Sequence, residues 1–228
     1  MDYLSMTFKQ PAAKWYEALP LGNGSMGAMS YGRFQNEKIE LNLDTLWSGT
    51  GKRKENSNRE IDWEFLRNNI FDEKYQEAED YCRENVLGDW TESYLPAGNL
   101  KIDVKVPVLT EAGSYKRQLS FKEAIENVEF CQEGKRYQRE FFVSMAEPVM
   151  ALHYHSGKDC SLEMALSLES QIHHQTSLFE KNGLLMEGQA PVSVAPPYYS
   201  CKNPIVYQEG LGIRFAFCLY MQTDGKTV

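Results

Sequence analysis

Residues 127–143 read NVEFCQEGKRYQREFFV, the segment that indicates the fold class most clearly. Residues 127–132 and 136–143 are two strand-like runs, rich in β-branched and aromatic side chains. They flank Glu133-Gly134, an acidic residue followed by glycine in the position of a tight turn. The stretch therefore predicts an antiparallel β-hairpin.

The rest of the second half of the chain repeats this strand pattern. Apolar residues alternate with polar ones, so that one face of each strand is core and the other is solvent. Intervals of about ten to fifteen residues without intervening helices predict a mainly β fold, a large antiparallel sandwich. The alternating sets are Leu100, Ile102, Val104 and Val106; Tyr115, Arg117, Leu119 and Phe121; residues 149–155; Leu162, Met164, Leu166 and Leu168; and Ile213, Phe215, Phe217, Leu219 and Met221.

One region breaks the period of two and predicts a short helical insertion near residues 57–88. Ser57 and Glu60 have the spacing of a capping box at the start of a first helix. Asp72 is placed to cap a second helix, which Gly88 would end. The predicted buried stripe of this second helix consists of Tyr75, Ala78, Cys82 and Val86.

Three early glycines, Gly22, Gly24 and Gly27, have the spacing G-x-G-x-x-G of dinucleotide-binding enzymes. That reading requires a preceding buried strand and a following helix. Pro20 lacks the N–H of a central strand, and the residues after Gly27 alternate like a strand. We therefore interpret the glycines as a turn between early strands, and we expect no cofactor.

Composition excludes several classes of function. The 228 residues carry a net charge of −8, which argues against binding to nucleic acid or to an anionic membrane. No apolar run reaches the length of a membrane span, and residues 1–6 lack the pattern of a secretion signal. Five scattered cysteines without a C-x-x-C pair favour reduced thiols. These features predict a cytosolic protein.

The four histidines form two close pairs, His153 with His155 and His173 with His174. The first pair shares one face of a predicted strand, a geometry that zinc could use. Neither pair has a third ligand at an evident spacing, so we expect structural histidines and no metal site.

Residues 40–49 gather the side chains best suited to bind a sugar. Asn42 and Asp44 offer amide and carboxylate groups for hydroxyls, and the ring of Trp47 could cover a sugar's apolar face. These three residues are the candidate substrate-binding residues. The alternative is a hydrogen-bonded structural turn with Trp47 in the core.

Several of these segments together resemble the N-terminal region of glycoside hydrolase family 95, the α-L-fucosidases. The likeness spans essentially the whole chain, with Ser25 where arginine is common and Leu43 where glutamate is common. The segments are residues 15–24 (WYEALPLGNG), 27–29 (GAM), 41–49 (LNLDTLWSG), 75–79 (YQEAE), 94–100 (YLPAGNL) and 137–144 (YQREFFVS).

The resemblance implies an N-terminal β-supersandwich followed by an (α/α)6 catalytic barrel. In the family the barrel performs an inverting hydrolysis of terminal α-linked L-fucose, with a Glu as general acid and an Asp-activated Asn in the place of the base. Some members act on α-L-galactosides. None of the 228 residues corresponds to that barrel, so no catalytic residue is assigned to this chain.

Residues 1–228 are accordingly predicted to be the N-terminal β-sandwich domain of a bacterial glycoside hydrolase. The expected partners are its own C-terminal catalytic barrel and a fucosylated oligosaccharide. The Asp224-Gly225 turn signal near the last residue also suggests a piece of a longer chain. The alternative is a stand-alone carbohydrate-binding module without catalysis.

Overall fold

A computed structural model describes residues 4–51, 60–87, 90–105, 114–157 and 161–226. The chain is mainly β, with antiparallel sheets and two short α-helices, which confirms the predicted fold class. The strands are β1 Ser5–Phe8, β2 Leu19–Gly22, β3 Met26–Ser30, β4 Asn36–Leu43, β5 Gly98–Lys105, β6 Lys116–Ser120, β7 Ile125–Gln132, β8 Lys135–Val143, β9 Met150–Ser156, β10 Glu163–Glu169, β11 His173–Phe179, β12 Gly183–Gln189, β13 Ser193–Val194, β14 Ile205–Val206 and β15 Arg214–Tyr220.

The long strands form three sheets in which every pairing is antiparallel. The first sheet has the order β1-β6-β7-β8-β9, the second β10-β5-β4-β3-β2 and the third β11-β12-β15, and β13 pairs with β14 alone. The hairpin predicted between β7 and β8 is confirmed: Glu133 and Gly134 form its turn with φ of 52° and 71°. Positive φ at both central residues is the geometry of a type I′ turn.

The chain divides into two compact units. One comprises Met1–Trp47, Tyr94–Ala190 and Ile213–Val228 and contains the three large sheets. The other comprises Ser48–Ser93 and Pro191–Gly212 and contains the helices and the β13–β14 pair. The assignment of all 228 residues to one N-terminal domain stays a prediction.

The helical insertion is present, but its ends differ from the predicted ones. Helix α1 spans Trp63–Phe71, helix α2 spans Tyr75–Tyr81, and a π-helical turn follows at Cys82–Val86. Neither helix, nor any other among the described residues, is long and apolar enough to cross a membrane.

The predicted N-caps of the two helices are wrong, whereas the predicted end at Gly88 is not tested. Asp62 caps α1 by accepting a hydrogen bond from the Phe65 N–H (2.8 Å), so Glu60 precedes the helix, while Ser57 and Gly88 lie outside the described residues. Asp72 ends α1 instead of starting α2, because its own N–H still bonds back to Asn68. Of the predicted stripe on the second helix, Ala78 alone is buried.

A buried charge cluster joins the first sheet to the second. Arg139 on β8 donates from Nη2 to Glu126 Oε2 (2.9 Å) and to Ser30 Oγ (2.8 Å). Its Nη1 donates to Glu37 on β4, and the side chains of both ion pairs are inaccessible to solvent. One guanidinium thus serves two carboxylates from opposite sheets, and charges removed from water are tolerated only when paired in this way.

Burial raises the pKa of the Glu37 carboxyl. The positive charge of Arg139 opposes this shift, whereas the second carboxylate, Glu126, adds to it. Glu37 Oε1 also accepts the Tyr31 N–H (3.0 Å), which fixes the chain direction between β3 and β4. Folding therefore makes the Glu37 carboxyl harder to ionise, although Arg139 is paired with it.

Glu37→Gln should make the free energy of unfolding less dependent on pH. A carboxyl whose pKa is raised on folding stabilises the protein fully below its unfolded pKa, and this stability is lost as the pH rises through its folded pKa. Wild-type stability should therefore fall relative to Glu37→Gln as pH rises from the ordinary value of 4.5. The slope is at most about 1.4 kcal/mol per pH unit.

Urea unfolding of both proteins between about pH 5 and pH 8 measures this difference. Glu163→Gln, at an exposed glutamate, is the control and should leave the pH profile unchanged. The raised pKa of Glu37 would be contradicted if wild-type stability, measured relative to that of Glu37→Gln, stayed constant or increased as the pH rises.

Candidate functional site

The glycine triplet builds a tight turn between β2 and β3, as predicted, and a strand instead of a helix follows it. Asn23 Oδ1 accepts the N–H groups of Ser25 (3.1 Å) and Met26 (2.8 Å), while Gly24 has a φ of 96°. At Gly22 a Cβ atom would lie 2.9 Å from the Met26 carbonyl oxygen. Both glycines are thus required by backbone geometry.

Gly22, Gly27 and Asn42 lie side by side across β2, β3 and β4. Leu41 and Leu43, the neighbours of Asn42 along β4, point to the other face of the sheet because successive side chains alternate. Two glycines beside Asn42 leave its half-buried amide with little side-chain cover. The amide of Asn42 therefore stays partly accessible to solvent.

The loop after β4 is fixed to the neighbouring turn by its backbone. The Asp44 N–H donates to the Ser25 carbonyl (2.9 Å), and the Leu46 N–H donates to the Leu43 carbonyl (3.1 Å). Leu46 is buried and anchors the loop, while the side chain of Asp44 stays exposed. The loop therefore presents its carboxylate on a rigid backbone.

Trp47 is held over this loop and is not a core residue. Its Nε1–H donates to the Asp44 carbonyl oxygen (2.8 Å), and the residue is 39% exposed. Its ring packs on that of Tyr94, with centroids 5.2 Å apart and planes inclined by 59°. The two residues also form an isolated antiparallel bridge, so backbone and ring contacts act together.

Tyr94 is the residue of this surface that the sequence did not assign. It is 45% exposed, and burial raises the pKa of its hydroxyl, with the negative charge of Asp44 adding to the shift. Tyr94 begins the family-like segment 94–100, but nothing in the spacing of the sequence indicates that residue 94 pairs with residue 47.

The structure thus brings Asp44 and Trp47 together, with Tyr94 as a third member. Asn42 lies on β4 in the glycine row, two residues before Asp44. A tilted pair of aromatic rings beside a carboxylate can cover the apolar face of a sugar and accept a hydrogen bond from its hydroxyl groups. We refer to Asp44, Trp47 and Tyr94 as the aromatic–acid surface.

The following residues, Ser48 and Gly49, belong to the other unit and are fixed by a separate network. The Ser48 N–H donates to the Ser93 carbonyl (2.8 Å), and the Ser93 N–H donates to Ser48 Oγ (2.9 Å). Ser48 Oγ donates in turn to a carboxylate oxygen of Glu92. A Cβ atom on Gly49, whose φ is 101°, would lie 2.7 Å from the Glu92 carboxyl carbon.

The histidine pairs do not assemble a metal site within the described part of the chain. His153 and His155 share one face of β9, with ring centroids 6.2 Å apart, and His153 Nδ1 lies 3.4 Å from a Glu140 oxygen. Among the residues that the structure describes, no group of three or more histidine, cysteine, aspartate or glutamate side chains is arranged to hold an ion.

Comparison with known proteins assigns the chain to a family. The family model described as the glycosyl hydrolase family 65 N-terminal domain matches residues 6–228. The chain is 29% identical over 229 residues to Alpha-L-fucosidase 2 of Arabidopsis thaliana, which covers 97% of this chain and 27% of that protein. It is 29% identical over 161 residues to Probable alpha-fucosidase A of Aspergillus niger, covering 68% of this chain and 20% of that protein. The chain therefore spans about a quarter or less of the length of these relatives.

Gly49→Ala should destabilise the protein more than Gly24→Ala does. Both positions have similar positive φ, 101° and 96°, so each substitution carries a backbone strain of about 1–2 kcal/mol. An added methyl group meets nothing within 4 Å at Gly24, whereas at Gly49 it displaces Glu92 from Ser48. Urea unfolding of the two variants measures the difference.

The excess cost at Gly49 should vanish in a Glu92→Ala background, because the methyl group then has space. Equal costs of Gly49→Ala with and without the Glu92 side chain would contradict the proposed contact.

Proposed function

We propose that this chain, which belongs to the family of glycosyl hydrolase family 65 N-terminal domains, is the non-catalytic N-terminal domain of an α-L-fucosidase-type hydrolase of family 95. The complete enzyme releases terminal L-fucose, or L-galactose, from oligosaccharides with inversion. The observation that carries the proposal is the match of 97% of this chain to 27% of Alpha-L-fucosidase 2. That asymmetry supports a domain that precedes a much larger catalytic part.

In this proposal the chain contacts the sugar and the catalytic barrel carries out the hydrolysis. The aromatic–acid surface offers two partly exposed rings and one carboxylate on a backbone fixed by hydrogen bonds. Such a surface suits contact with a sugar ring, but by itself it provides no acid and base pair on opposite sides of a glycosidic bond. In this proposal the chain packs against the catalytic barrel and forms part of the wall of its crevice, with Asp44 and Trp47 toward the oligosaccharide.

Asn42 takes part in the proposal as a second polar contact. Its amide can both donate to and accept from sugar hydroxyls, and the paired Gly27 leaves space above the strand. Since Asn42 precedes Asp44 by two residues on a continuous backbone, one oligosaccharide could reach both groups.

A stand-alone carbohydrate-binding module is the second candidate. The exposed Trp47–Tyr94 pair favours it, because such modules need only an aromatic platform and hydrogen-bonding groups. The two candidates differ in what the 228-residue chain does alone. A binding module retains fucosides without the rest of the protein, whereas a wall of a composite crevice does not.

The full-length protein should hydrolyse p-nitrophenyl α-L-fucopyranoside, and the 228-residue chain alone should not. Proton NMR of the first turnovers should show β-L-fucose as the initial anomer, since inversion places the attacking water on the opposite face. Calorimetric titration of the isolated chain with L-fucose is the companion measurement. Saturable binding by the chain, together with an inactive full-length protein, would instead support the binding module.

Trp47→Ala in the full-length enzyme should lower kcat/KM for a fucosylated oligosaccharide by about tenfold, because the platform for the sugar is lost. Asp44→Asn should act in the same direction through its lost charge. Trp15→Ala, at another exposed tryptophan, is the control and should leave kcat/KM unchanged. Equal effects of the substitutions at Trp47 and Trp15 would remove Trp47 from the proposed crevice.

A further inference from the structure

A groove of about 1360 Å³ opens among the strands of the sheet-containing unit. Inward residues of β4, β5 and β8 line it together with three strands that each lie at the edge of a different sheet: β9, β10 and β15. The apolar lining from these strands comprises Met150 and Leu152, Met164 and Leu166, and Phe217 and Leu219.

The groove is an interior surface without a full cover. On β5, the inward residues Leu100, Ile102 and Val104 are buried. On β9, β10 and β15 the same alternation continues, yet Leu152, Leu166 and Leu219 remain only half-buried. Alternation of this kind specifies which face of a strand is core. Inward residues that stay half-buried leave this part of the core face open to a further packing element.

The edge of β15 has none of the features that protect exposed strand edges. Between Arg214 and Tyr220 it reads FAFCL, without a charged residue or a proline. It pairs with β12 on one side only among the described strands, so its other side presents backbone N–H and C=O groups. Natural edge strands are normally interrupted by lysine, proline or a bulge, because a bare edge templates pairing with a further strand.

The chain itself leads into this groove. After β15, Met221, Thr223 and Asp224 line the groove together with Gly225, whose N–H donates to Thr223 Oγ1 (3.0 Å). Asp-Gly is a favoured pair for a tight turn that returns the chain antiparallel to the preceding strand. The relatives, whose matched parts amount to 27% and 20% of their length, have ample further chain to supply such a strand.

We propose that the polypeptide that follows Val228 in the full-length protein returns as a β-strand along the free edge of β15. Its alternate apolar side chains fill the groove between β15 and β9 and complete the sandwich. This inference rests on the proposed function in one respect, since it takes the chain to be the first part of a longer hydrolase. It implies that the 228-residue chain alone has an incomplete core.

The test compares thiol accessibility at two neighbouring positions of β15 in the full-length protein and in the 228-residue chain. Leu219→Cys places a thiol among the half-buried inward residues of β15, and the native Cys218, an exposed residue that points to the other face of the same strand, is the matched control. Labelling with N-ethylmaleimide is followed by peptide mass spectrometry. In the full-length protein, Leu219→Cys should react about tenfold or more slowly than in the shorter chain, relative to Cys218.

Two results would overturn the proposal. One is an unchanged ratio of the two rates, including the case in which both thiols slow alike because the cover lies on the outer face. The other is protection of Leu219→Cys in the short chain that rises with protein concentration, which would assign the groove to a second copy. If the short chain does not fold, Leu219→Cys must still be unreactive in the native full-length protein, and labelling there as fast as Cys218 would overturn the proposal.

Hydrolysis of p-nitrophenyl α-L-fucopyranoside is assayed on the same full-length preparation. Protection at residue 219 without fucose release would retain the groove strand and reject the proposed function. Fucose release without protection at residue 219 would support the proposed function and reject the groove strand.

Discussion

The buried cluster of Arg139, Glu37, Glu126 and Ser30 is the interaction on which the sandwich depends. It is the place where the first and second sheets meet through charge as well as through apolar contact. An apolar core would tolerate small shifts of one sheet over the other, but such a shift would separate the buried guanidinium from its two carboxylates, which is costly away from water. The cluster therefore fixes β4 and β8 against each other, and β4 leads directly into the aromatic–acid surface.

At the end of the second sheet, backbone hydrogen bonds fix the loop that follows β4. Paired glycines on β2 and β3 allow the Asn23 turn to lie close to the loop after β4, where the Asp44 N–H reaches the Ser25 carbonyl. The indole of Trp47 then closes the loop on Asp44. The orientation of one carboxylate and two rings is thus a consequence of backbone hydrogen bonds, and sites supported by a rigid backbone hold their geometry best.

Local patterns predicted much of this fold, because strand alternation and the Glu133-Gly134 turn are set by neighbouring residues. The predicted N-cap of α1 failed because Asp62, an equally acceptable capping residue closer to the helix, accepts the Phe65 N–H. The buried arginine was visible in principle, because Arg139 occupies an inward position of an otherwise apolar alternation. The pairings were not, because Glu37 meets Arg139, and Tyr94 meets Trp47, from positions distant in sequence.

If the charge cluster fixes the sandwich, Arg139→Met should destabilise the protein far more than the same substitution at an exposed arginine does. Arg136→Met, an exposed arginine on the same strand paired with Glu129, is the matched control. Urea unfolding should show that Arg139→Met lowers the free energy of unfolding by about 3–5 kcal/mol, because two buried carboxylates lose their partner. Arg136→Met should leave it unchanged within error. Equal stability of the two variants would contradict the account.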